Sequence, residues 1–291
     1  MNILTFDIEE WYVWESLGLF SSSERKEHDQ MLDRLLNILD SKNVKATFFC
    51  VGMMAVRFPE IVKKIKERGH EIGCHSNVHT WLNKMTRQEC FEDTRQAIDN
   101  LQQCIGEKVV SYRAPAFSVG EQNSWAFEIL AENGIERDSS VFPALSELGG
   151  FPSFGEDIPS LISCGGKKIK EYPIAMTSVA GKKIAFSGGG YFRFLPYWYS
   201  LKLMKKRNYN TCYFHMSDFV KERRFTRQEY ESYFKEETSL LSTYIRFAKT
   251  NLGKRSSWKK FEKLLGELDF VSLADADSQI DWSAAPVAIK L

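Results

Sequence analysis

The chain has 291 residues, enough for one large α/β domain or for two smaller ones. A hydrophobic share of 43% and a charged share of 26% are typical of a soluble globular protein, and a net charge of +1 gives no reason to expect a nucleic acid partner. No run of 18 apolar residues occurs, so no membrane span is predicted. The six cysteines include no C-x-x-C pair, and no basic segment with an apolar core opens the chain, so a reducing, cytoplasmic location is predicted.

Apolar strand-like runs alternate with helical periodicity along the chain. The predicted strands cover residues 2–6, 46–51, 71–74, 109–112, 135–138, 211–214 and 270–273. The predicted helices cover residues 29–42, 58–68, 86–105, 122–132, 227–249 and 258–268. This alternation favours parallel strands joined by crossover helices.

The middle of the chain has a different composition. Residues 144–190 contain three glycine runs and three prolines, which predict a loop-rich insertion on the main domain rather than a second core. A helical part is predicted over residues 227–291. We therefore expect a single domain over residues 1–291.

Two of the five histidines, His75 and His79, directly follow the predicted strand at 71–74. On a helical turn, residues four apart face the same way, so both imidazoles could bind one ion. Imidazole nitrogen suits zinc and similar metals, and a catalytic site needs a third protein ligand and an open position. The alternative is a pair of surface histidines at helical spacing.

Two carboxylates, Asp7 and Glu9, follow the first predicted strand. Strand alternation would put both on one side, with Ile8 on the other. Charged residues rarely end a buried strand unless they are paired or bind a metal. One carboxylate could bind a metal while the other takes a proton, and a solvated acidic loop is the alternative.

Side chains that can do chemistry follow four predicted strands, namely Asp7, His75, Arg113 and Asp138, and His215 follows the run at 211–214. Barrels and doubly wound folds place their sites at the carboxyl ends of strands. We therefore expect these side chains to form one site.

Five motifs in this order resemble those of the polysaccharide deacetylase family, the NodB-homology carbohydrate esterases. They are Thr5-Phe6-Asp7, the run 69–73 with His75-Ser76-x-x-His79, Arg113-Ala114-Pro115, Asp138-Ser139, and the strand ending in His215. The segment 188–198, GGGYFRFLPYW, resembles that of a subgroup associated with exopolysaccharide loci, although that subgroup usually has H-P-W-E where this chain has H-M-S-D from residue 215. The resemblance implies a distorted (β/α) barrel with parallel strands, outer helices and a loop-rich insertion.

The resemblance also implies a divalent metal held by His75, His79 and a carboxylate of the first motif. Ile8 stands where the family usually has a second Asp, and its side chain cannot bind a metal. Members with a D-x-D or D-x-E pattern use the residue two after the catalytic Asp, so Glu9 is the expected third ligand. Glu10 is the next candidate, and a metal-free relative is the remaining option. The metal is predicted to be Zn²⁺, with Co²⁺, Ni²⁺ or Fe²⁺ also accepted by such ligands.

The remaining roles follow from the resemblance together with the chemistry of amide hydrolysis. Asp7 is expected to be the general base, with Arg113 as its orienting partner. His215 is expected to be the acid that protonates the leaving amine, with Asp138 (or Asp218) as the carboxylate beside it. The backbone N–H of Ala116 is the expected oxyanion donor, and the expected substrate contacts are Tyr191, Arg193 and Trp11.

The predicted function is removal of the N-acetyl group from an acetamido sugar in surface-polysaccharide or glycoconjugate biosynthesis. The substrate is predicted to be nucleotide-linked, lipid-linked or an oligosaccharide. The alternatives are a deformylase or other amidohydrolase on a carrier-linked sugar, and an inactive carbohydrate-binding relative. A glycosidase using Asp7 and Glu9 fits less well, because its carboxylates must flank the bond at least about 5 Å apart. The sequence leaves the sugar, the acyl group and the oligomeric state open.

Overall fold

The structure is a computed structural model that describes residues 1–145, 149–179, 181–220, 226–234 and 239–291. The strands are β1 Asn2–Ile8, β2 Thr47–Cys50, β3 Glu71–Cys74, β4 Ser111–Tyr112, β5 Arg137–Asp138, β6 Ser160–Cys164, β7 Lys167–Glu171, β8 Thr177–Val179, β9 Lys182–Ile184, β10 Asn210–His215 and β11 Val287–Lys290. The helices are α1 Glu10–Ser16, α2 Ser22–Ser41, α3 Gly52–Arg57, α4 Pro59–Glu67, α5 Arg87–Ile105, α6 Ala126–Glu132, α7 Gly189–Phe194, α8 Tyr197–Lys205, α9 Arg227–Phe234, α10 Leu240–Asn251, α11 Lys254–Leu264 and α12 Leu273–Gln279.

In the part of the chain that the structure describes, nine strands form the main sheet in the order β10-β1-β2-β3-β4-β5-β7-β6-β11. All neighbours from β10 to β7 are parallel, whereas β6 runs antiparallel to β7 and pairs in parallel with β11. Within the described residues the sheet does not close, since β10 and β11 are its edges. The predicted parallel strands with outer helices are confirmed, in the form of an open, distorted barrel.

The core forms around β1, which is buried from Ile3 to Ile8 as expected for a strand covered on both faces. The Phe6 ring stacks on Phe48 at a centroid distance of 4.9 Å and meets Phe261 of α11 edge-on at 6.0 Å. All three rings are fully buried, and each such burial contributes about 1.5–3 kcal/mol. One core therefore joins residues from both halves of the chain.

Helix α2 begins seven residues before its predicted start at residue 29. A capping box explains the earlier start, because the Ser21 hydroxyl accepts from the Glu24 N–H and the Glu24 carboxylate accepts from the Ser21 N–H. The extra turns carry His28 into the core, where it packs on Trp11, Trp14 and Phe20. The charged run from residue 24 to 29 would suggest an exposed side chain, but the structure buries His28.

Two strands of the segment predicted as an insertion belong to the main sheet. Strands β6 and β7 bury Ile162 and Ile169 in the core. The predicted strand at 270–273 is wrong, since only Val271 bridges to Ile3 and Ser272 caps α12 by accepting from the Asp275 N–H. No described helix has the length and apolar composition that crossing a bilayer requires.

Candidate metal and catalytic site

The carboxyl ends of β1, β3, β4 and β10 bring the predicted side chains together. Strand register makes Asp7 and His215 direct neighbours on β1 and β10. The residues after β3 and β4, His75 and Arg113, are linked by a contact of 2.7 Å between the His75 Nδ1 and the Arg113 carbonyl oxygen. The predicted clustering of these side chains at one edge of the sheet is therefore observed.

The two histidines converge through a loop and not through the helical turn that the spacing suggested. Ser76 and His79 both adopt left-handed backbone conformations, with φ of 60° and 61°. The Ser76 hydroxyl accepts from the His79 N–H at 2.8 Å, and Asp93 of α5 accepts from the Asn77 N–H at 2.9 Å. These bonds hold the loop so that the two imidazole centroids lie 5.2 Å apart.

Glu9 completes a set of three possible metal ligands with His75 and His79. Its Oε2 lies 2.6 Å from the His79 Nε2 and 3.4 Å from the His75 Nε2, and the ligand atoms all lie within 4.8 Å of one another. Burial would raise the pKa of Glu9, but His79 and His215 hold it well below its usual value, so the carboxylate is ionised.

The donor set fits a zinc-like cation. Because the His75 Nδ1 is committed to the Arg113 carbonyl, the Nε2 keeps its lone pair for a metal. The Nε2 atoms of His75 and His79 are both buried and have no hydrogen bond of acceptable geometry. Glu10 lies apart from this set, since its Oε1 accepts from the Ser217 N–H at 2.7 Å.

Arg113 fixes the position of Asp7. Its Nη1 donates to the Asp7 Oδ1 at 2.9 Å and to the Thr5 hydroxyl at 2.8 Å. Its Nε and Nη2 donate to the Ser139 carbonyl and hydroxyl, and its guanidinium lies over the Phe49 ring at 4.4 Å. Because Arg113 is fully buried, these contacts leave the Asp7 carboxylate little freedom to turn.

His215 faces both carboxylates of the first motif. Its Nε2 lies 3.7 Å from the Asp7 Oδ2 and 3.9 Å from the Glu9 Oε1, and its side chain is 28% exposed. Burial lowers the pKa of His215, but Glu9, Asp218 and Asp7 together raise it to about 10. A cation bound at Glu9 would cancel part of this effect. His215 can therefore hold a proton at neutral pH beside the candidate metal ligands.

Asp138 does not contact His215, and this corrects the prediction that it holds the imidazolium. Its Oδ1 accepts from the Ser140 hydroxyl at 2.7 Å, which in turn accepts from the Ala114 N–H at 2.8 Å. Asp138 thus supports the loop after β4. The carboxylate beside His215 is Asp218, whose Oδ2 lies 3.7 Å from the His215 Nδ1.

Asp138 forms a buried acid pair with Glu171 across β5 and β7, where the two residues are register partners. Burial raises the pKa of both carboxyl groups, and the Asp138 charge raises that of Glu171 further. The Glu171 Oε1 accepts from the Val141 N–H at 3.0 Å. The pair therefore retains a proton in the folded state at pH values where the unfolded chain has released it.

Glu171→Gln is expected to stabilise the protein increasingly as pH rises above the ordinary glutamate pKa of 4.5. In that window the folded wild type binds a proton that the unfolded chain has lost, so its free energy of unfolding falls until the raised folded pKa is passed. The gain is about 1.4 kcal/mol for each unit of raised pKa. Denaturant unfolding at about pH 5 and about pH 8 measures it, with the exposed Glu132→Gln as control. A pH-independent difference between Glu171→Gln and wild type would contradict the shared proton.

The predicted oxyanion donor lies on a strained loop. Ala116 and Phe117 have φ of 54° and 51°, conformations that residues with a Cβ rarely adopt. The Phe117 N–H donates to the Ala114 carbonyl at 3.1 Å, and the Ser118 N–H donates to the Pro115 carbonyl at 3.0 Å. Such strain clusters at functional sites, and the oxyanion role of Ala116 stays a prediction.

The three predicted substrate contacts lie in different surroundings. Trp11 is 1% exposed and its indole donates to Asp29 at 2.8 Å, so it is a core residue and the prediction for it was wrong. Arg193 is 6% exposed and pairs with Asp218, whereas Tyr191 is 42% exposed. Of the three, only Tyr191 has a surface that a sugar can contact.

Sequence reasoning missed Asp93 and Glu171. Glu171 ends strand β7 as Asp7 lies near the end of β1, but β7 is half exposed and has three lysines, so no apolar run marked it in the sequence. Asp93 lies on the helix α5, and no local pattern links it to the loop that it holds.

Residues 3–137 match the polysaccharide deacetylase family, and residues 139–276 match a domain of unknown function, DUF3473. A peptidoglycan-N-acetylglucosamine deacetylase of Bacillus cereus is 36% identical over 96 residues, 33% of this chain and 35% of that protein. The uncharacterized protein YlxY of Bacillus subtilis is 34% identical over 90 residues, 31% of this chain and 28% of that protein. The matched region therefore spans about a third of these curated relatives.

Two solved structures share the fold over most of the chain. A candidate polysaccharide deacetylase from Mycobacterium smegmatis has a TM-score of 0.61 at 18% identity, covering 98% of this chain and 91% of that one. A probable polysaccharide deacetylase from Pseudomonas aeruginosa PAO1 has a TM-score of 0.59 at 16% identity, covering 94% and 88%. Residues 3–137 thus match the polysaccharide deacetylase family, and almost the whole chain shares its fold with these two structures.

Proposed function

We propose that the protein is a metal-dependent deacetylase that hydrolyses the acetamido group of a polysaccharide or a related glycan. One observation carries the proposal. The carboxylates of Asp7 and Glu9 both lie within 4 Å of the His215 Nε2, beside two buried imidazoles whose Nε2 atoms face the Glu9 carboxylate at 3.4 and 2.6 Å. A base, an acid and a metal-binding set are thus gathered at one place.

Glu9, His75 and His79 would hold the metal. A divalent cation there would lower the pKa of water and polarise an amide carbonyl. The three residues supply one carboxylate oxygen and two imidazole nitrogens, a combination found in catalytic zinc sites. Zn²⁺ is our first choice, and Co²⁺, Ni²⁺ and Fe²⁺ suit the same donors.

The chain's own residues would manage the proton transfers. Asp7 would take a proton from the attacking water, and the hydrogen bond from Arg113 keeps its carboxylate oriented. His215 would give a proton to the departing amine, which is a poor leaving group unless it is protonated. The Ala116 N–H would stabilise the negative charge that develops on the carbonyl oxygen.

The name of the Bacillus cereus relative makes an N-acetylglucosamine glycan the first substrate to test. An inactive carbohydrate-binding relative is less favoured, because a binding module needs neither an acid nor a base. Removal of another acyl group, a nucleotide-linked or lipid-linked carrier, a role in biosynthesis, the exopolysaccharide subgroup and a cytoplasmic location all stay predictions from the sequence.

Acetate release from N-acetylglucosamine oligosaccharides tests the proposed function. Protein loaded with Zn²⁺, Co²⁺ or Ni²⁺ should release acetate and leave a free amine on the sugar. A chelator should stop the reaction, and added metal should restore it. If no metal-loaded form releases acetate and N-formyl substrates are cleaved instead, the protein is a deformylase and the proposal is wrong.

Glu9→Gln is expected to weaken metal binding while Glu10→Gln leaves it unchanged. Removing a residue that only hydrogen-bonds to a metal ligand lowers metal affinity by about 10–100-fold, and removing a direct ligand should lower it at least as much. Glu10→Gln is a matched control, because its amide oxygen can still accept from the Ser217 N–H. Calorimetric titration with Zn²⁺ measures both affinities, and the reverse pattern would make Glu10 the ligand.

A further inference from the structure

The two oxygens of the Asp218 carboxylate face different partners. The Oδ1 lies 2.9 Å from the Arg193 Nε. The Oδ2 accepts from the His215 backbone N–H at 2.9 Å and lies 3.7 Å from the Nδ1 of the same residue. Asp218 is 4% exposed and Arg193 is 6% exposed. In such a dry environment each charge depends on the other, so Arg193 and the His215 N–H together restrain the orientation of Asp218.

Arg193 is itself fixed by the C-terminal helices. Its Nη1 donates to the Thr250 carbonyl, and the Lys260 Nζ donates to the Arg193 carbonyl at 2.7 Å. The backbone at Gly253 approaches so closely that an added Cβ would lie 2.3 Å from the Arg193 carbonyl oxygen. Arg193 is therefore held through both its backbone and its side chain by residues far along the chain.

The same contacts argue against Arg193 as a substrate contact. Its guanidinium is committed to Asp218 and to a main-chain carbonyl, and little of the residue reaches the surface. Tyr191, two residues earlier on α7, is 42% exposed and is free to meet a sugar. The segment 188–198 thus contains an exposed aromatic side chain and a buried cation.

A general acid must present one chosen nitrogen to the leaving group. A carboxylate at the other nitrogen fixes the orientation of the imidazole and the identity of the donating nitrogen. We propose that Arg193 is a positioning residue, which acts through Asp218 to keep the His215 Nε2 directed at Asp7 and Glu9. This role presupposes the proposed function of His215 as the acid in deacetylation.

The test compares Arg193→Gln, Asp218→Asn and the double variant in the metal-loaded full chain. Each single variant should lower kcat on an N-acetylglucosamine oligosaccharide by about 10–100-fold. This is only part of the rate acceleration of about 10²–10⁴-fold that a general acid contributes, because His215 itself is still present. KM, zinc content and cleavage of an activated aryl acetate should stay near wild type. The double variant should be no worse than Asp218→Asn, because both changes break one chain of contacts. Arg193→Lys should recover part of kcat.

Arg207→Gln is the matched control, because Arg207 pairs with Asp157 in the same half of the chain. It should leave kcat unchanged. A raised KM at unchanged kcat in Arg193→Gln would make Arg193 a substrate contact, and multiplied losses in the double variant would make the two residues independent. Equal losses on amide and ester, together with lost zinc, would reduce Arg193 to a general structural role. Each of these three results overturns the proposal.

A measurement without turnover separates this proposal from the proposed function. The ring NMR signals of His215 should form one sharp set in wild type and in Arg207→Gln. They should broaden or double in Arg193→Gln and Asp218→Asn, because the ring is no longer held. If wild type releases no acetate, the proposed function fails while these spectra still decide the role of Arg193. Identical ring signals in all four proteins would overturn the positioning role.

Discussion

Replacing both His75 and His79 by Ala is expected to remove the bound metal and nearly all activity on an acetamido sugar. The double change leaves Glu9 as the single protein ligand of the set. Removing a residue that only hydrogen-bonds to a metal ligand lowers metal affinity by about 10–100-fold. Losing a direct ligand should cost at least as much, so losing both imidazoles should lower the affinity by about 10²–10⁴-fold or more. Elemental analysis after dialysis measures the metal content, and titration with Zn²⁺ measures the remaining affinity.

The control removes two imidazoles that lie elsewhere. His28 and His70 are both buried, and neither lies among the candidate ligands. Burial lowers the pKa of His70 to about 4, which is typical of a neutral structural histidine. His28→Ala with His70→Ala should keep the metal, provided that circular dichroism finds both double variants folded. Full metal content in the His75 and His79 double variant would exclude the proposed site.

The strands could be predicted because their signals are local. Buried strands such as β1 and β3 appear in the sequence as short apolar runs, and a charged residue or histidine after such a run indicates the carboxyl end. Asp7, His75 and Arg113 were found in this way. Any parallel sheet collects its carboxyl ends at one edge, so these signals indicate the edge that carries the side chains, and strand order then decides which of them meet.

The choice between Asp138 and Asp218 as the partner of His215 could not be made from such signals, because it depends on strand order. Strand β5, which ends in Asp138, is separated from β10 by β1, β2, β3 and β4. At about 4.8 Å per strand these neighbours span more than a side chain can reach. Asp218 lies three residues after His215 and reaches it through the turn that follows β10.

The sequence predicted that His75 and His79 lie close together, but it did not predict the backbone geometry that brings them together. Four-residue spacing suits a helix, whereas the observed loop relies on left-handed Ser76 and His79 and on the distant Asp93. Residues other than glycine rarely adopt left-handed conformations, and no residue near the motif indicates that a carboxylate of α5 will contact it. Loop conformation and long-range contacts together decide such a site, and a single sequence contains little information on either.

Asp7→Asn and His215→Ala are expected to lower activity by about 10²–10⁴-fold each while the metal is retained. Neither residue belongs to the candidate ligand set. Asn preserves the shape of Asp7 and its contact with Arg113, so the loss would reflect proton transfer and not packing. Steady-state kinetics and elemental analysis on the same samples test both statements, and lost metal in either variant would contradict the division of roles.

The pH profile should identify the acid. A general acid works only while protonated, so its contribution is present below its pKa and is lost as pH rises through it. The carboxylates around His215 outweigh the effect of its burial and raise its pKa above the ordinary 6.5. We therefore expect the alkaline limb of the wild-type profile to lie above pH 6.5 and to be absent in His215→Ala. An unchanged alkaline limb in that variant would assign it to another group.

A comparison of substrates separates the acid from the base. An amine must be protonated before it leaves, whereas the phenolate of an activated aryl acetate leaves without a proton. His215→Ala should therefore impair the acetamido sugar far more than the aryl ester. Asp7→Asn should impair both to a similar extent, because attack by water is common to both reactions. Equal losses on amide and ester in His215→Ala would rule out the general acid and leave His215, whose side chain is 28% exposed, as a residue that binds the substrate.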